Sequence, residues 1–363
     1  MLSRMGRVYR ILRRAHGVRW VPPFIGLLFG LLRGIVWLGM SLDRVFFPEL
    51  ARTKVSRPIV LVGNPRTGTT FLQRFLSEAG FGAGMELFLM LYPSLVLQKL
   101  LRPWVPLLEK LSPARFHSKE VHETRLSAVE TDDVGVLFRY LDGFFLYGFF
   151  LSFDEQEQLH TVDPKIRDTS ARDFAWLEQL WRRSLVAHGA ERNIAKLFSL
   201  APRLPQFLEH FPDAQVLYMA RDPLSVIPSS MSLVVGVVDQ AFGFWSKPEA
   251  VRQQWLDRLY RAWILLLQRF HDDWTSGAID QQRVFIVRYD QMMSNFDDTM
   301  ERMCRFLEHD MTPELRAQVK SIADTQRAYK SEHQYDLAKY GLTEEQIRKD
   351  CKFFYDTFLP PLK

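Results

Sequence analysis

Two cysteines, Cys304 and Cys351, are all that 363 residues contain. A disulfide scaffold therefore does not hold this chain together. Neither cysteine has a CxxC spacing or a histidine beside it, so neither marks a structural zinc site, and both read as ordinary structural thiols. The chain has no internal repeat and no low-complexity tract, which excludes a solenoid and a disordered linker protein. No acidic residue precedes Asp43. No small-residue cleavage site follows the first apolar run, which argues against a cleavable signal peptide. A Gly/Thr-rich segment at 63–70 lacks the lysine of a nucleoside-triphosphate loop, Thr69 standing in its place.

What is present begins with an apolar fraction of 47%, enough for a sizeable core. The net charge of +5 is unevenly placed: Arg4, Arg7, Arg10, Arg13, Arg14 and Arg19 crowd the N-terminus. A basic head before an apolar stretch points to a membrane surface and away from nucleic acid. The stretch, 24–42, would make a helix about 28 Å long, near a hydrocarbon thickness of roughly 30 Å. Arg33 in its middle costs about 2.5–3.5 kcal/mol on insertion scales. Pro22 and Pro23 suit a helix start, and Gly26, Gly30 and Gly34 permit close helix packing. Three arrangements remain open: a single span, a helix lying in one leaflet, or a helix packed on the rest of the chain. Residues 1–50 are thus expected to form a membrane-associating helical extension, with residues 56–363 as the catalytic domain on the cytoplasmic face.

The remainder alternates strands and helices. Short apolar runs at 58–62, 193–198, 215–220 and 283–289 read as buried strands. Helical spacing marks 70–80, 173–188, 203–210, 248–274, 295–308 and 343–358. This pattern predicts an α/β fold, a central parallel sheet flanked by helices, with the N-terminal apolar helical extension added to it. Residues 85–150 are unusually aromatic, and Phe144, Phe145, Phe149 and Phe150 fit either a helical core layer or a greasy acceptor pocket.

The sharpest signal is Gly63-Asn64-Pro65-Arg66-Thr67-Gly68-Thr69-Thr70, set between a predicted strand and a predicted helix. Backbone N–H groups and the helix dipole favour an anion there. Its cation, Arg66, sits inside the loop, an arrangement suited to a nucleotide 5′-phosphosulfate bound without a metal. Residues 63–72, GNPRTGTTFL, resemble the 5′-phosphosulfate loop of the PAPS-dependent sulfotransferases, in their bacterial-type branch. Phe211-Pro212-Asp213-Ala214, then a strand, then Arg221-Asp222-Pro223 and Ser229, resembles that family's 3′-phosphate segment.

The resemblance implies a P-loop-like sulfotransferase fold and 3′-phosphoadenosine 5′-phosphosulfate (PAPS) as co-substrate, with no metal. It implies donor contacts from Arg66, Thr67, Gly68, Thr69, Thr70 and Phe71, and a 3′-phosphate held by Arg221 and Ser229. Tyr289, in Val287-Arg288-Tyr289-Asp290, would lie near the adenine, and Lys330 would supply a further cation. Lys196 stands at the family's distance before Phe211, although Leu197-Phe198 replace the Ser-Pro of many relatives. Transfer requires in-line geometry, stabilised oxygens and a base for the acceptor proton. Candidates for the base are His117, His122, Glu123, Glu130, Asp132 and Asp133. An acidic stretch at this place in the resembling branch favours Glu130, with His122 next. The acceptor is expected to be a small molecule or lipid bearing a hydroxyl or amine. Two competing classes are a P-loop small-molecule or lipid kinase and a non-catalytic membrane-bound nucleotide-binding protein. The oligomeric state is not legible.

Overall fold

Four consecutive buried residues, Ile59–Val62, form the first strand, β1. The others are β2 (Ala83–Gly84), β3 (Asn193–Leu197), β4 (Gln215–Ala220) and β5 (Val284–Arg288). The sheet order is β2-β3-β1-β4-β5, and every pairing is parallel. The computed structural model describes residues 2–18, 21–111, 125–328 and 336–361. His117, His122, Glu123 and Lys330 lie outside the described residues.

Alternation along the strands splits the core into two layers. Val60, Val62, Val216 and Tyr218 face one layer, while Ile59, Leu61, Leu217 and Met219 face the other. Burial on both faces is why these runs are continuously apolar. The first layer rests on the helices Ser170–His188, Pro223–Phe242 and Glu249–Thr275. The second rests on α3 (Thr69–Glu78) and the helices Phe296–Leu307 and Pro313–Ala328. Val62 is level with Leu197 on one side and Tyr218 on the other. The carboxyl ends of the three central strands therefore open at one place.

The expected strands all form. The short β2 and the helix Pro313–Ala328 were not among the expected elements. The final helical stretch is two helices, Glu344–Asp350 and Lys352–Phe358, because buried Cys351 takes the corner between them.

The N-terminal residues form α1 (Leu2–Ala15) and α2 (Val21–Phe46). Part of the basic head faces the catalytic region. Arg4 pairs with buried Asp142, and Arg7 reaches Asp154 at 2.8 Å. Ile11 is buried, and the His16 ring packs between Phe153 and Phe242. Arg10 and Arg13 stay exposed. Of the glycine repeat, Gly26 lies close to α1, where a Cβ would come 3.2 Å from Met5 Cε, while a Cβ on Gly30 or Gly34 would meet nothing within 4 Å. The close approach is at Gly39, where a Cβ would lie 2.7 Å from Ser94 Oγ and 2.8 Å from Leu97 Cγ.

One turn further on, Asp43 is fully buried and accepts hydrogen bonds from Arg183 Nε at 2.9 Å, Ser94 Oγ at 2.9 Å and Val96 N at 3.0 Å. Three donors converge because a carboxylate stripped of water needs its lone pairs filled. Removing Asp43 leaves the Arg183 guanidinium buried without its counter-charge. Asp43→Ala is expected to cost about 3–5 kcal/mol, read as a lower urea midpoint. Replacing both residues with apolar side chains should recover most of that loss.

Candidate active site

The loop between β1 and α3 is shaped by backbone conformations that few residues adopt. Arg66 has φ 71° and Gly68 has φ 91°. A Cβ on Gly68 would also lie 3.1 Å from the Tyr289 ring, so glycine is required there twice over. Thr67 Oγ1 donates to Asn64 O at 2.8 Å, and Asn64 Nδ2 donates to Trp263 O at 3.3 Å, pinning the turn. Gly68 is the N-cap of α3 and has no side chain to cap it. The first N–H groups of α3 have no partner within the helix, so the loop is a ready cradle for an anion.

The second motif meets the first. Arg221 follows β4, and its Nη1 donates to Arg66 O at 2.7 Å. Arg66 Nε donates to Ser229 Oγ at 3.0 Å, and Ser230 Oγ donates to Pro65 O at 3.0 Å. The Arg221 guanidinium stacks 3.9 Å from the centre of the Tyr289 ring. Asp222 caps the helix Pro223–Phe242 by accepting from Leu224 N, with Pro223 at its first turn. Two arginines, a serine and a tyrosine from three separate segments thus gather at the mouth of the loop.

Lys196 supplies a cation from β3. Its Nζ donates to Thr70 Oγ1 at 3.1 Å, and the side chain is 1% exposed. The positive charge missing at position 69 therefore arrives from the neighbouring strand. Burial lowers the Lys196 pKa, against the raising influence of Glu130 and Asp132. The segment 130–133 is tied to the same strand. Asp132 N donates to Lys196 O at 2.8 Å, while the Asp132 carboxylate accepts from Lys196 N at 3.0 Å and Trp181 Nε1 at 2.9 Å. Burial pushes the Asp132 carboxyl up to about 7 despite those donors. Asp133 accepts from Phe198 N at 2.6 Å and Thr131 Oγ1 at 2.8 Å. Asp132 and Asp133 are fully engaged in fastening this segment.

Glu130 is placed differently. It is 5% exposed and lines a cavity of about 600 Å³ together with Arg66, Thr70, Lys196 and Arg221. Burial raises its pKa, while Lys196 and Arg74 pull the other way. The far walls of the cavity are apolar: Leu137, Phe138, Phe144, Phe145 and Phe149 on one side, Leu233, Val234 and Val237 on the other. The aromatic region contributes to the core and also borders the cavity. Phe144 is core, and the same ring with Phe145 and Phe149 borders the cavity. Phe71 does not face this space. It is partly exposed, and its ring meets Phe296 edge-on at 5.8 Å.

Several lining residues were not singled out from the sequence. Arg74 stands one helical turn after Thr70, on the same face, a signal that spacing alone carries. Trp263, Leu233 and Val237 carry no such signal, because apolar residues on long helices read as core.

A parallel sheet with a glycine-bearing loop after its central strand, faced by Arg221 at the end of the next strand, is an arrangement suited to binding an anion. The sequence profile of the Sulfotransferase family matches residues 58–313, and the chain belongs to that family. The structure is similar to that of sulfotransferase STF1 from Mycobacterium tuberculosis H37Rv, with a TM-score of 0.70 and 18% identity, over 96% of this chain and 91% of that one. It is also similar to sulfotransferase STF9 from Mycobacterium avium, with a TM-score of 0.62 and 18% identity, over 89% and 82% of the two chains. At that identity these likenesses speak for the fold. None of the curated proteins compared matches the sequence.

The raised Glu130 pKa has a definite sign. On folding the group holds its proton to a higher pH than its ordinary 4.5. The unfolded chain then loses the proton first, so ionising Glu130 costs stability as pH rises through that window. Glu130→Gln removes the cost. Its unfolding temperature relative to the parent is expected to increase as pH is raised from 4.5 toward neutrality, read by calorimetry at several pH values. An unchanged difference across that range contradicts the assignment of the shift to Glu130.

Proposed function

We propose that the chain transfers a sulfuryl group from PAPS to the hydroxyl or amine of an amphiphilic small molecule or lipid. The observation that carries this is one cavity with two unlike ends. One end presents Arg66, Lys196, Arg221 and the start of α3, and the other is walled by aromatic and aliphatic side chains. When bound, PAPS offers a sulfuryl group on a phosphate leaving group.

The chain's own residues have separate tasks in this reading. The backbone N–H groups of Thr67 to Thr70 and the hydroxyls of Thr69 and Thr70 offer donors to the 5′ oxygens, and the Arg66 cation balances the negative charge that grows there. Arg221 and Ser229 hold the 3′-phosphate, and their contacts with Arg66 couple the two phosphate ends. Tyr289, stacked on Arg221, offers its ring to the adenine side. Lys196, close to Thr70, would offer its ammonium to the leaving phosphate oxygen as the bond to sulfur breaks. Glu130, its proton affinity raised by burial, takes the acceptor proton as the acceptor oxygen or nitrogen bonds to sulfur. His122 is the second candidate for that task and Lys330 a further phosphate cation, both outside the described residues.

The kinase alternative requires a cation on the terminal phosphates. Thr69 in the lysine position and a cation within the loop at Arg66 favour the sulfuryl donor. A non-catalytic nucleotide binder would have no use for a base against an open cavity. The apolar wall and the apolar N-terminal helix support a membrane-associated enzyme with a greasy acceptor, and a cofactor made in the cytoplasm supports the cytoplasmic face.

Incubation with sulfur-labelled PAPS and a panel of long-chain alcohols, phenols, glycolipids and free sugars tests this. Label is expected to pass to the hydrophobic acceptors. Glu130→Gln should lower the turnover by roughly 100-fold or more, in the range of general-base losses, with little change in donor affinity. Label passing only to free sugars removes the apolar-acceptor reading, and phosphoryl transfer from ATP in its place overturns the donor.

A further inference from the structure

The helix α2 is long and apolar enough to cross a bilayer, and so by the same measure is the helix Pro223–Phe242. Their surroundings separate them. Half of the most apolar window of Pro223–Phe242 is buried in the fold, against 11% for α2. Leu27, Leu31, Leu38 and Val45 recur along one exposed face of α2, at 71, 62, 56 and 72% exposure. The helix Leu95–Leu101 packs against α2, and the chain after it carries exposed Trp104 and Leu107. An apolar surface of this kind is rarely left in water.

The two ends of α2 decide how it can meet lipid. Before it, α1 is fastened to the catalytic region through Arg7–Asp154 at 2.8 Å and through Lys247 Nζ donating to Ala15 O at 2.7 Å. After the Gly39 contact, Asp43–Arg183 at 2.9 Å fastens its other end to the same body. A spanning helix would carry those ends to opposite sides of roughly 30 Å of hydrocarbon. Here both are held on the catalytic side. Exposed Arg10 and Arg13 on α1 supply the charge that an anionic headgroup layer would meet.

The inner face of α2 approaches a residue of the active-site cavity. Phe29, Leu32 and Arg33 line a narrow cleft against Phe138, whose ring lies 6.3 Å from that of Phe29. Phe138 also lines the large cavity that holds Glu130 and Lys196. Phe138 thus borders both the cleft on the α2 side and the large cavity.

We propose that α2 lies in one leaflet of an anionic bilayer, with both its ends on the catalytic side, and that the apolar acceptor passes from that leaflet into the cavity beside Phe138. The second half of the statement rests on the cavity being the acceptor site. The first half does not.

The test uses the full chain and measures no sulfuryl transfer, so failure of the donor reading leaves its result standing. Single cysteines replace exposed Arg10 on α1 and Arg316 on the catalytic surface; Cys304 and Cys351 are buried and stay. Inverted and right-side-out membrane vesicles from expressing cells are treated with a thiol reagent that cannot cross lipid. Both sites are expected to react in the same vesicle orientation. Reaction in opposite orientations means that α2 spans and overturns the proposal. Recovery of the chain in the soluble fraction also overturns it, as does a dimer that Leu31→Glu dissociates and that does not float with phosphatidylcholine/phosphatidylglycerol vesicles.

For the passage, a pyrene-tipped long-chain alcohol is dissolved in such vesicles, and quenching of the Trp263 emission, identified by its loss in Trp263→Phe, is followed in time. Phe138→Ala is expected to speed the quenching, and Leu32→Phe, which narrows the cleft from the α2 side, to slow it. Leu32→Phe should leave the final amplitude unchanged. Equal rates in all three proteins exclude this route.

Discussion

Everything in this site depends on the sheet reversing direction at β1. The chain lays β2 and β3 on one side of β1 and β4 and β5 on the other. All strands are parallel, so a crevice opens where connections leave β1 in one direction and its neighbours in the other. Each group at the polar end of the site comes from the carboxyl end of a different strand. The loop follows β1, Lys196 lies near the end of β3, Arg221 follows β4 and Tyr289 follows β5. No segment could assemble these groups alone, and no side chain needs to travel far to join them.

A second constraint is the low-dielectric setting of the charges. Lys196 and Glu130 are both buried, and burial shifts each toward its neutral form. Such groups cost stability unless they are partnered, and groups kept at that cost cluster where chemistry occurs. Asp132 and Asp133 show the other use of buried carboxylates. Their oxygens are filled by backbone and indole donors, and they hold the Glu130 segment to β3. The same four-residue stretch thus contains a fastening and a candidate base, told apart by what each carboxylate accepts.

Much of the fold was legible because its strands are buried on both faces and carry a continuous apolar signature, as in Ile59–Val62 and Gln215–Ala220. The polar end of the cavity was legible as a loop and cations brought together, because a left-handed turn calls for glycine and charged residues at strand ends stand out in a sequence. Gly68, Arg66 and Arg221 are such residues. The two-residue strand β2 was not, since so short a segment has no periodicity. The apolar wall of the cavity was only half legible. Phe145 and Phe149 lie in a visibly aromatic run, but Leu233 and Val237 differ from core residues only in facing a cavity. Phe71 continues the loop sequence, and its ring meets that of Phe296, a contact no local spacing announces. The role of Arg4 and Arg7 was also hidden, because their carboxylate partners lie more than a hundred residues away.

The measurement that bears most directly on the central claim is thermal unfolding with 3′-phosphoadenosine 5′-phosphate, the desulfated donor, in the presence of a chelator. ATP with magnesium serves as the control, and Arg66→Ala and Arg221→Ala are run alongside. A ligand bound only by the folded chain, at 100 times its dissociation constant, adds about 2.7 kcal/mol. The account predicts a clear upward shift for the parent protein with the bisphosphate, and its loss in both variants. A shift with ATP and magnesium alone, or one that both arginine substitutions leave intact, would contradict it.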